Sequence, residues 1–230
     1  RTHAKNLIIV GKVSVNGKIA QKASDDVSSA DNIEVDFSED YSSLGGIKLK
    51  RALEYFKLDP AGKICIDIGA SNGGFTDVML KGGAKKVFCV DIGECALPPE
   101  MCLDERVYVK DRLNARYLTF EDIGIKADLI SVDVSFISLK LVIPALIQYM
   151  HSDSVLVALI KPQFEVGPKY LPKSGIVRNT KAIEKAIGDV TAFASALGLK
   201  CLGTTSAPHP FPDKNREYLA AFRLGEGMTE

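Results

Sequence analysis

Residues 64–75, ICIDIGASNGGF, constrain the fold of this chain more than any other segment. The apolar run that ends at Asp67 and Gly69 predicts a strand, and Gly73 and Gly74 lead into TDVMLKGG, which predicts a helix. A glycine-rich turn between strand and helix lets the backbone approach a ligand, and the N–H groups at a helix start favour electron-rich groups. We therefore expect the nucleotide part of a cofactor at this turn.

The spacing of these residues narrows the class of ligand. A dinucleotide fingerprint needs glycine at its first, third and sixth positions, and Ser71 at the third weakens that interpretation. Residues 69–73 also satisfy the G-x-S-x-G pattern of a hydrolase nucleophile elbow, which needs a downstream acid and a base histidine. Of the downstream histidines, His151 and His209, only His209 lies near a loop-like, proline-rich segment, and the rest of the chain offers a hydrolase little support.

A second predicted strand, KKVFCVDIG, ends on Asp91. Its separation from Asp67 matches the interval of roughly 20 residues to the acid that binds ribose hydroxyls in nucleotide-binding βαβ units. Two carboxylates at consecutive strand ends would repel a pyrophosphate but can accept hydrogen bonds from ribose and from an amino group. S-adenosylmethionine fits this pattern; the alternative for Asp67 is that it caps the turn.

Strand patterns alternate with helical patterns along most of the chain. Strands are predicted near 63–68, 86–91, 106–109, 127–133, 154–160, 199–205 and 217–223. Helical patterns include IKLKRALEYFKL, SLKLVIPALIQYM and KAIEKAIGDVTAFASALG. This order predicts an α/β fold with a doubly wound, Rossmann-like sheet. The last two strands lack a helix between them, which predicts an antiparallel edge hairpin, as in class I methyltransferases.

The amino-terminal segment carries a basic charge in a chain of zero net charge. Residues 1–24 contain five Lys or Arg side chains and no acidic one, which indicates a phosphate-facing surface, with a solvated face as the alternative. The candidate RNA contacts are Arg1, Lys5, Lys12 and Lys18. The segment resembles the later part of a small α+β S4-type RNA-binding module, with a helix ending at Gly11, a strand, a tight turn at Asn16-Gly17 and a second strand.

The main part of the chain, residues 41–224, resembles the hemolysin A (TlyA) family, whose catalytic domain is similar to the FtsJ class of RNA ribose 2′-O-methyltransferases. The matching stretches are SLGGIKL (43–49), DIGASNGGFTD (67–77), VDIG (90–93), LNARYL (113–118), DVSFISL (133–139), IKPQFEVG (160–167) and NREYL (215–219). We therefore expect a partial S4-like module at 1–37, a linker at 38–46 (SEDYSSLGG) and a methyltransferase domain at 47–230.

The resemblance implies a Lys-Asp-Lys-Glu catalytic set, carried here by Lys48, Asp133, Lys161 and Glu217. Lys161 follows an apolar strand, so burial and the neighbouring ammonium of Lys48 would favour its neutral form, which could accept the 2′-hydroxyl proton. Asp133 would orient Lys161, whereas Lys48 and Glu217 would hold the ribose. Too strong an Asp133–Lys161 ion pair would defeat this base.

The resemblance also assigns the S-adenosylmethionine site. The implied contacts are Asp67, Gly69, Ser71, Gly73, Gly74, Phe75 and Asp91, with Asp111 as a candidate adenine contact or a surface acid. The five cysteines show no C-x-x-C spacing, and Cys65 and Cys89 fit buried strand positions, so we expect reduced thiols and no metal.

No apolar run approaches the roughly 18 residues of a membrane span, so we expect a cytoplasmic protein with no membrane partner and no pore-forming activity. The implied substrate is ribosomal RNA or a ribosomal subunit, with methylation at a cytidine. Two alternatives stay open. Asp133-Val134-Ser135-Phe136 stands where amino-methyltransferases carry an acid-aromatic motif, and a non-catalytic RNA-binding protein could use the same scaffold.

Overall fold

The computed structural model describes residues 2–9, 11–36, 43–209 and 213–225. In the amino-terminal part, one helix precedes a small antiparallel sheet of order β2-β1-β3. Its elements are α1 (Thr2–Ile9), β1 (Val13–Val15), β2 (Lys18–Ile19) and β3 (Ile33–Val35). The predicted tight turn is confirmed, because Asn16 and Gly17 both adopt positive φ, of 51° and 75°, as a two-residue hairpin requires. The short strand β3 was not predicted.

The main part contains a seven-stranded sheet of order β6-β5-β4-β7-β8-β10-β9. Its strands are β4 (Ile64–Ile68), β5 (Lys86–Val90), β6 (Val107–Lys110), β7 (Leu129–Val132), β8 (Val155–Ile160), β9 (Leu199–Ser206) and β10 (Tyr218–Leu224). The strands from β6 to β8 pair in parallel, and β10 pairs antiparallel with both β8 and β9. The predicted doubly wound sheet with an antiparallel hairpin at one edge is confirmed.

The helices of this part are α2 (Gly45–Phe56), α3 (Gly74–Lys81), α4 (Pro99–Cys102), α5 (Phe120–Ile123), α6 (Ile143–Leu146), α7 (Pro162–Glu165) and α8 (Thr180–Ala196). Gly45 and Gly46, which the sequence placed in the linker, form the first turn of α2. The rest of that linker, up to residue 42, lies outside the described residues.

The helical pattern at 138–150 forms one short α-helix, α6, between two 3-10 turns at Leu139–Leu141 and Ile147–Tyr149. Pro144 explains the break, because proline supplies no backbone N–H for the preceding turn.

Two apolar layers enclose the sheet. Side chains alternate along each strand, so Ile66 and Ile68 of β4 join a cluster with Val190 and Ala194 of α8. Cys65, on the opposite face of β4, joins a cluster with α2 and α3. The predicted burial of Cys65 and Cys89 is confirmed, since neither has exposed surface. This two-sided burial fixes the carboxyl edge of the parallel strands, where the candidate site lies.

Candidate active site

The site lies where the order of the parallel strands reverses, between β4 and β7. Ligands of open α/β sheets bind at such switch points, outside the carboxyl ends of the strands. Gly69 follows β4 and Asp133 follows β7, and the Asp133 N–H donates to the carbonyl of Ile68 at 2.9 Å. A Cβ at Gly69 would overlap the carbonyl oxygen of Asp133, so glycine is required for this approach.

Asp91 braces the glycine-rich turn from the neighbouring strand. Its Oδ2 accepts the N–H of Ser71 and its Oδ1 accepts the N–H of Gly93, each at 2.9 Å. Ser71 adopts φ 49°, a left-handed conformation that is unfavourable for a residue with a Cβ. Asp91 thus stabilises a strained turn at the place where the sequence predicts ribose binding.

The position of Asp67 does not fit the direct cofactor contact that the sequence predicts for it. Its side chain has 0% exposure, with Oδ2 accepting from the Thr76 hydroxyl at 2.7 Å and Oδ1 from the Ser131 hydroxyl at 2.8 Å. Burial raises the pKa of Asp67 to about 6, although both hydrogen bonds oppose the shift. Because the carboxylate is enclosed beneath the turn, Asp67 supports the turn and does not reach the ligand surface.

The other glycines of the turn serve helix packing. A Cβ at Gly74 would overlap the Ser43 hydroxyl at the start of α2, so Gly74 allows α3 to approach α2. Gly73 has φ 80°, and a Cβ there would lie 2.7 Å from the Met101 sulfur. Phe75 is buried but lines the cavity described below. The sequence assigned all three residues to cofactor binding, and only Gly74 and Phe75 line that cavity.

Asp111 is an exposed acid just after β6. Its Oδ1 accepts the Cys95 N–H at 2.7 Å, and this hydrogen bond lowers the pKa of Asp111. Asp111 therefore anchors the loop that follows Asp91. The contact of Asp111 with the adenine of the cofactor stays a prediction.

A cavity of about 330 Å³ joins the glycine-rich turn to the predicted catalytic residues. Its polar lining consists of Ser43, Lys48, Ser71, Asn72, Asp133, Ser135 and Lys161. The walls combine backbone of the turn with both signs of charge, and the volume falls in the usual range for small-molecule sites. The arrangement fits a cofactor that carries an amino acid group, since such a group has a carboxylate and an ammonium.

Lys161 and Asp133 form the first of two ion pairs among the predicted catalytic residues. Each follows directly after a strand, β8 and β7 respectively, and these strands are parallel neighbours. The Lys161 Nζ lies 2.6 Å from the Asp133 Oδ1 and donates to the Ser135 hydroxyl at 2.7 Å. The side chains are only 10% and 20% exposed, so water screens this pair weakly.

Lys48 and Glu217 form the second ion pair. Lys48 is on α2, and Glu217 immediately precedes β10; the Nζ–Oε2 distance is 2.5 Å. Tyr218 pairs with Ile160 in the antiparallel register, so Glu217 lies at the level of Lys161. The structure thus brings the four predicted catalytic residues to one edge of the sheet as two ion pairs.

Three further residues surround these pairs; the sequence singled out Ser135 and Phe136 only as part of an acid-aromatic motif and did not single out Glu165. Ser135 accepts from Lys161, and Phe136 is 90% exposed with φ 64° and its ring centroid 5.2 Å from that of Phe164. Glu165, which is buried, accepts from the Ser138 hydroxyl at 2.6 Å and the Leu139 N–H at 2.8 Å. Burial raises the pKa of Glu165. The stretches DVSFISL and KPQFE contain them, but residue type alone gave no role.

The hydrolase alternative finds no support in this geometry. The Ser71 N–H binds Asp91, and His209 lines a different cavity with Arg178 and Tyr218. Within residues 43–209 and 213–225, no hydrogen bond joins Ser71 to a histidine.

The predicted RNA contacts of the amino-terminal module have different environments. Lys5 is exposed on α1 and lines a cavity together with Lys22, and Lys18 is exposed on β2. Lys12 differs from the prediction, because its ammonium is paired with Asp36 at 2.6 Å and is therefore less available to phosphate. Arg1 lies outside the described residues.

The described residues lack two kinds of feature. No group of three or more His, Cys, Asp or Glu side chains there has an arrangement that could hold a metal ion. None of the helices in those ranges has the length and apolar character needed to cross a bilayer.

Comparisons with known proteins agree with this geometry. Residues 41–224 match the FtsJ-like methyltransferase family, and residues 1–33 match the S4 domain. The 16S/23S rRNA (cytidine-2′-O)-methyltransferase TlyA of Mycobacterium tuberculosis is 40% identical over 225 residues, covering 97% of this chain and 84% of that protein. Hemolysin A of Brachyspira hyodysenteriae is 38% identical over 224 residues, covering 96% and 93%.

A solved structure from Streptococcus thermophilus, described as a hemolysin, superposes with a TM-score of 0.80 at 38% identity, covering 97% of this chain and 82% of that one. The family match and these relatives lead to one assignment. The chain belongs to the FtsJ-like methyltransferase family and, within it, to the hemolysin A (TlyA) group.

Proposed function

We propose that this protein is an S-adenosylmethionine-dependent methyltransferase that methylates the ribose 2′-hydroxyl of a cytidine in ribosomal RNA. The observation that carries the proposal is the Lys161–Asp133 pair, which stands at the edge of the glycine-rich cavity beside the Lys48–Glu217 pair. The relatives named as rRNA (cytidine-2′-O)-methyltransferases support the substrate class.

The cofactor would be held by the turn after β4. When bound, S-adenosylmethionine supplies a methyl group that its sulfonium makes electrophilic. The backbone of residues 69–72 would contact the amino acid group, and Asp91, beside the turn, would accept hydrogen bonds from ribose. Gly69 allows this turn to lie against Asp133, because a side chain there would overlap the Asp133 carbonyl oxygen.

The Lys161–Asp133 pair would accept the proton of the 2′-hydroxyl. The Asp133 carboxylate lies 2.6 Å from the Lys161 Nζ, so we assign the proton transfer to the pair and not to Lys161 alone. Substrate RNA would exclude water from a pair that is already mostly buried, and loss of water disfavours separated charges. A proton can then pass from Nζ to Oδ1, and the neutral amine of Lys161 takes the hydroxyl proton.

Lys48 and Glu217 would position the ribose. Their ion pair fixes two polar groups opposite Lys161, one a donor and one an acceptor, as a sugar hydroxyl requires. Holding the 2′-oxygen in line with the methyl group supplies much of the rate, since well-oriented intramolecular reactions reach effective molarities of about 10⁵ M or more.

A second candidate, methylation of a base nitrogen, is favoured by one observation. Phe136 is exposed three residues after Asp133, and an exposed ring can stack on a nucleobase. Yet the Oδ1 of Asp133 is paired with Lys161. Methylation of a base nitrogen does not need a proton acceptor as strong as the amine of Lys161. The ion pair therefore favours a hydroxyl as the reacting group, with Phe136 stacking on the base of the same nucleotide.

Ribosomal subunits, in the cytoplasm, are the substrates that we propose. The S4 domain match at residues 1–33 supports a second contact with ribosomal RNA through the amino-terminal module. The exposed Lys5 and Lys18 would contribute phosphate contacts there.

The test is transfer of labelled methyl from S-adenosylmethionine to purified small and large subunits that lack the modification. The RNA is then digested to nucleosides, and we expect the label in 2′-O-methylcytidine. Lys161→Ala should remove it, whereas Lys126→Ala, which alters an exposed lysine before β7, should not. Label on a base would support the second candidate, and an unlabelled product with normal cofactor binding would support a non-catalytic role.

A further inference from the structure

A second cavity of about 650 Å³ opens on the other face of β10 from Glu217. Arg178, His209, Lys214 and Arg216 line it, together with Tyr218, and we call it the basic cavity. Side chains alternate along a strand, so Tyr218 packs toward the α8 side while Glu217 points toward α2. The basic cavity and the active site thus share one edge of the sheet but lie on opposite faces.

The charge of the basic cavity is unbalanced. Throughout the described residues, no carboxylate forms an ion pair with Arg178, Lys214 or Arg216. The two acids next to these cations along the chain, Asp213 and Glu217, do not line the cavity. Clefts lined by one sign of charge concentrate the field and attract the opposite charge.

The two segments that carry these cations are joined by side-chain hydrogen bonds. The Asn215 Oδ1 accepts the Val177 N–H, and its Nδ2 donates to the Gly175 carbonyl, both at 2.8 Å. Arg178 follows Val177, whereas Lys214 and Arg216 flank Asn215. One amide side chain therefore holds together the two backbone segments that carry the cations. This lowers the conformational entropy that is lost when an anion binds.

We propose that the basic cavity binds a backbone phosphate of the substrate RNA, a few nucleotides from the methylated ribose. The proposal rests on the proposed function, because it places the same RNA strand in both sites. Arg216 and Glu217 are consecutive, so their Cα atoms are about 3.8 Å apart. A strand whose ribose lies beside Glu217 and Lys161 reaches the basic cavity by crossing the start of β10.

The chemistry of the lining fits a phosphodiester better than a carboxylate metabolite. Arginine presents a planar fork that matches phosphate oxygens, and lysine adds a point charge. Three permanent cations exceed what one carboxylate would balance, whereas RNA brings one negative charge with every nucleotide.

The test compares two double variants of the full chain. Lys214→Gln with Arg216→Gln removes two of the three cations of the basic cavity, and Lys85→Gln with Lys126→Gln removes the same charge from exposed lysines at the opposite edge of the sheet. Affinity for an RNA fragment that the unaltered protein methylates is measured at several salt concentrations without cofactor. Calorimetry with S-adenosylmethionine reports on the cofactor site, and circular dichroism on folding.

We expect the cavity variant to bind RNA at least about tenfold more weakly at 0.1 M salt, since the loss of even one charged hydrogen bond costs about that factor. Its salt slope should shrink by about 0.7, the contribution of one phosphate of single-stranded RNA. Arg178→Gln, from the other segment, should change the affinity and the slope in the same direction, with the slope falling by at most about 0.7. The affinity for S-adenosylmethionine should match that of the control variant.

Replacing single phosphates of the fragment by methylphosphonates locates the contact. One position within a few nucleotides of the target should weaken binding to the unaltered protein and have no effect on the cavity variant. Equal affinities and slopes in both double variants would overturn the proposal while leaving methyl transfer intact. Failure of the unaltered protein to methylate any RNA would instead count against the proposed function, since binding is measured separately.

Discussion

Gly69 and Asp133 meet at the switch point of the sheet, and the backbone of one occupies the space that a side chain on the other would need. Gly69 also has φ 82°, a conformation that favours glycine. One backbone contact therefore aligns the glycine-rich turn with the strand end that carries Asp133, the carboxylate of the proposed catalytic pair.

Gly69→Ala should disrupt this contact. We expect weaker binding of S-adenosylmethionine and a lower free energy of unfolding, by more than the ~1–2 kcal/mol that left-handed backbone costs alanine, because the turn must also move. Gly62→Ala is the matched control, since Gly62 has φ 70° with no atom within 4 Å of an added Cβ. Calorimetry and urea unfolding measure both effects; equal losses in the two variants would mean that the contact is unimportant.

Asp67 should make stability depend on pH. The pKa of this carboxyl is about 6 in the folded protein and 3.8 in its ordinary state, so the folded state binds the proton more tightly. Its contribution is fully present below pH 3.8 and is lost as pH rises through 6, by about 2–3 kcal/mol in total.

Asp67→Asn should remove this contribution. The free energy of unfolding of the unaltered protein, minus that of the variant, should fall between about pH 4 and 6 and stay constant above. Urea unfolding across this range measures the difference, and Asp153→Asn, at an exposed acid, serves as the control. A difference that does not change with pH would show that Asp67 is not protonated in this window.

Lys48 and Glu217 should act as a unit. Their side chains are 21% and 18% exposed, so removing one partner leaves the other charge poorly solvated. We expect the Lys48→Met and Glu217→Gln variants each to lose kcat/KM by about 10²-fold, and the double variant to lose far less than the product, with a coupling of about 1–3 kcal/mol. Additive losses would indicate independent roles.

Glu165 should position the loop that follows Asp133. Its carboxylate accepts hydrogen bonds from Ser138 and Leu139, and the loop from Asp133 to Ser138 carries Ser135 and Phe136. Glu165→Gln leaves one acceptor where there were two, so we expect faster hydrogen exchange at the Leu139 amide and about tenfold slower methyl transfer. Glu184→Gln, on the exposed side of α8, should change neither. Unchanged exchange at Leu139 would rule out this role.

Much of the fold follows from periodicity in the sequence. The strand and helix patterns gave the sheet and its antiparallel edge, because two-sided burial leaves a clear apolar signature. The helix predicted at 138–150 breaks at Pro144, and β3 is too short to give a pattern. Alternation along β4 does show that Asp67 shares a face with Cys65, but not that Thr76 and Ser131 enclose it.

The candidate site was harder to predict from residues alone. Lys48 and Glu217 are far apart in sequence, and only the register of β10 brings them together. The resemblance to a family supplied the four candidate catalytic residues and the expected contact of Asp133 with Lys161, whereas the length and the burial of that ion pair follow only from the structure.

The position of β10 has a consequence for synthesis. Although it follows both β8 and β9 along the chain, β10 inserts between them, and Glu217 reaches Lys48 only when it does so. Chains emerge from the ribosome amino terminus first. A nascent chain therefore completes its glycine-rich turn early but exposes one edge of β8 and lacks the Lys48–Glu217 ion pair until β10 has emerged.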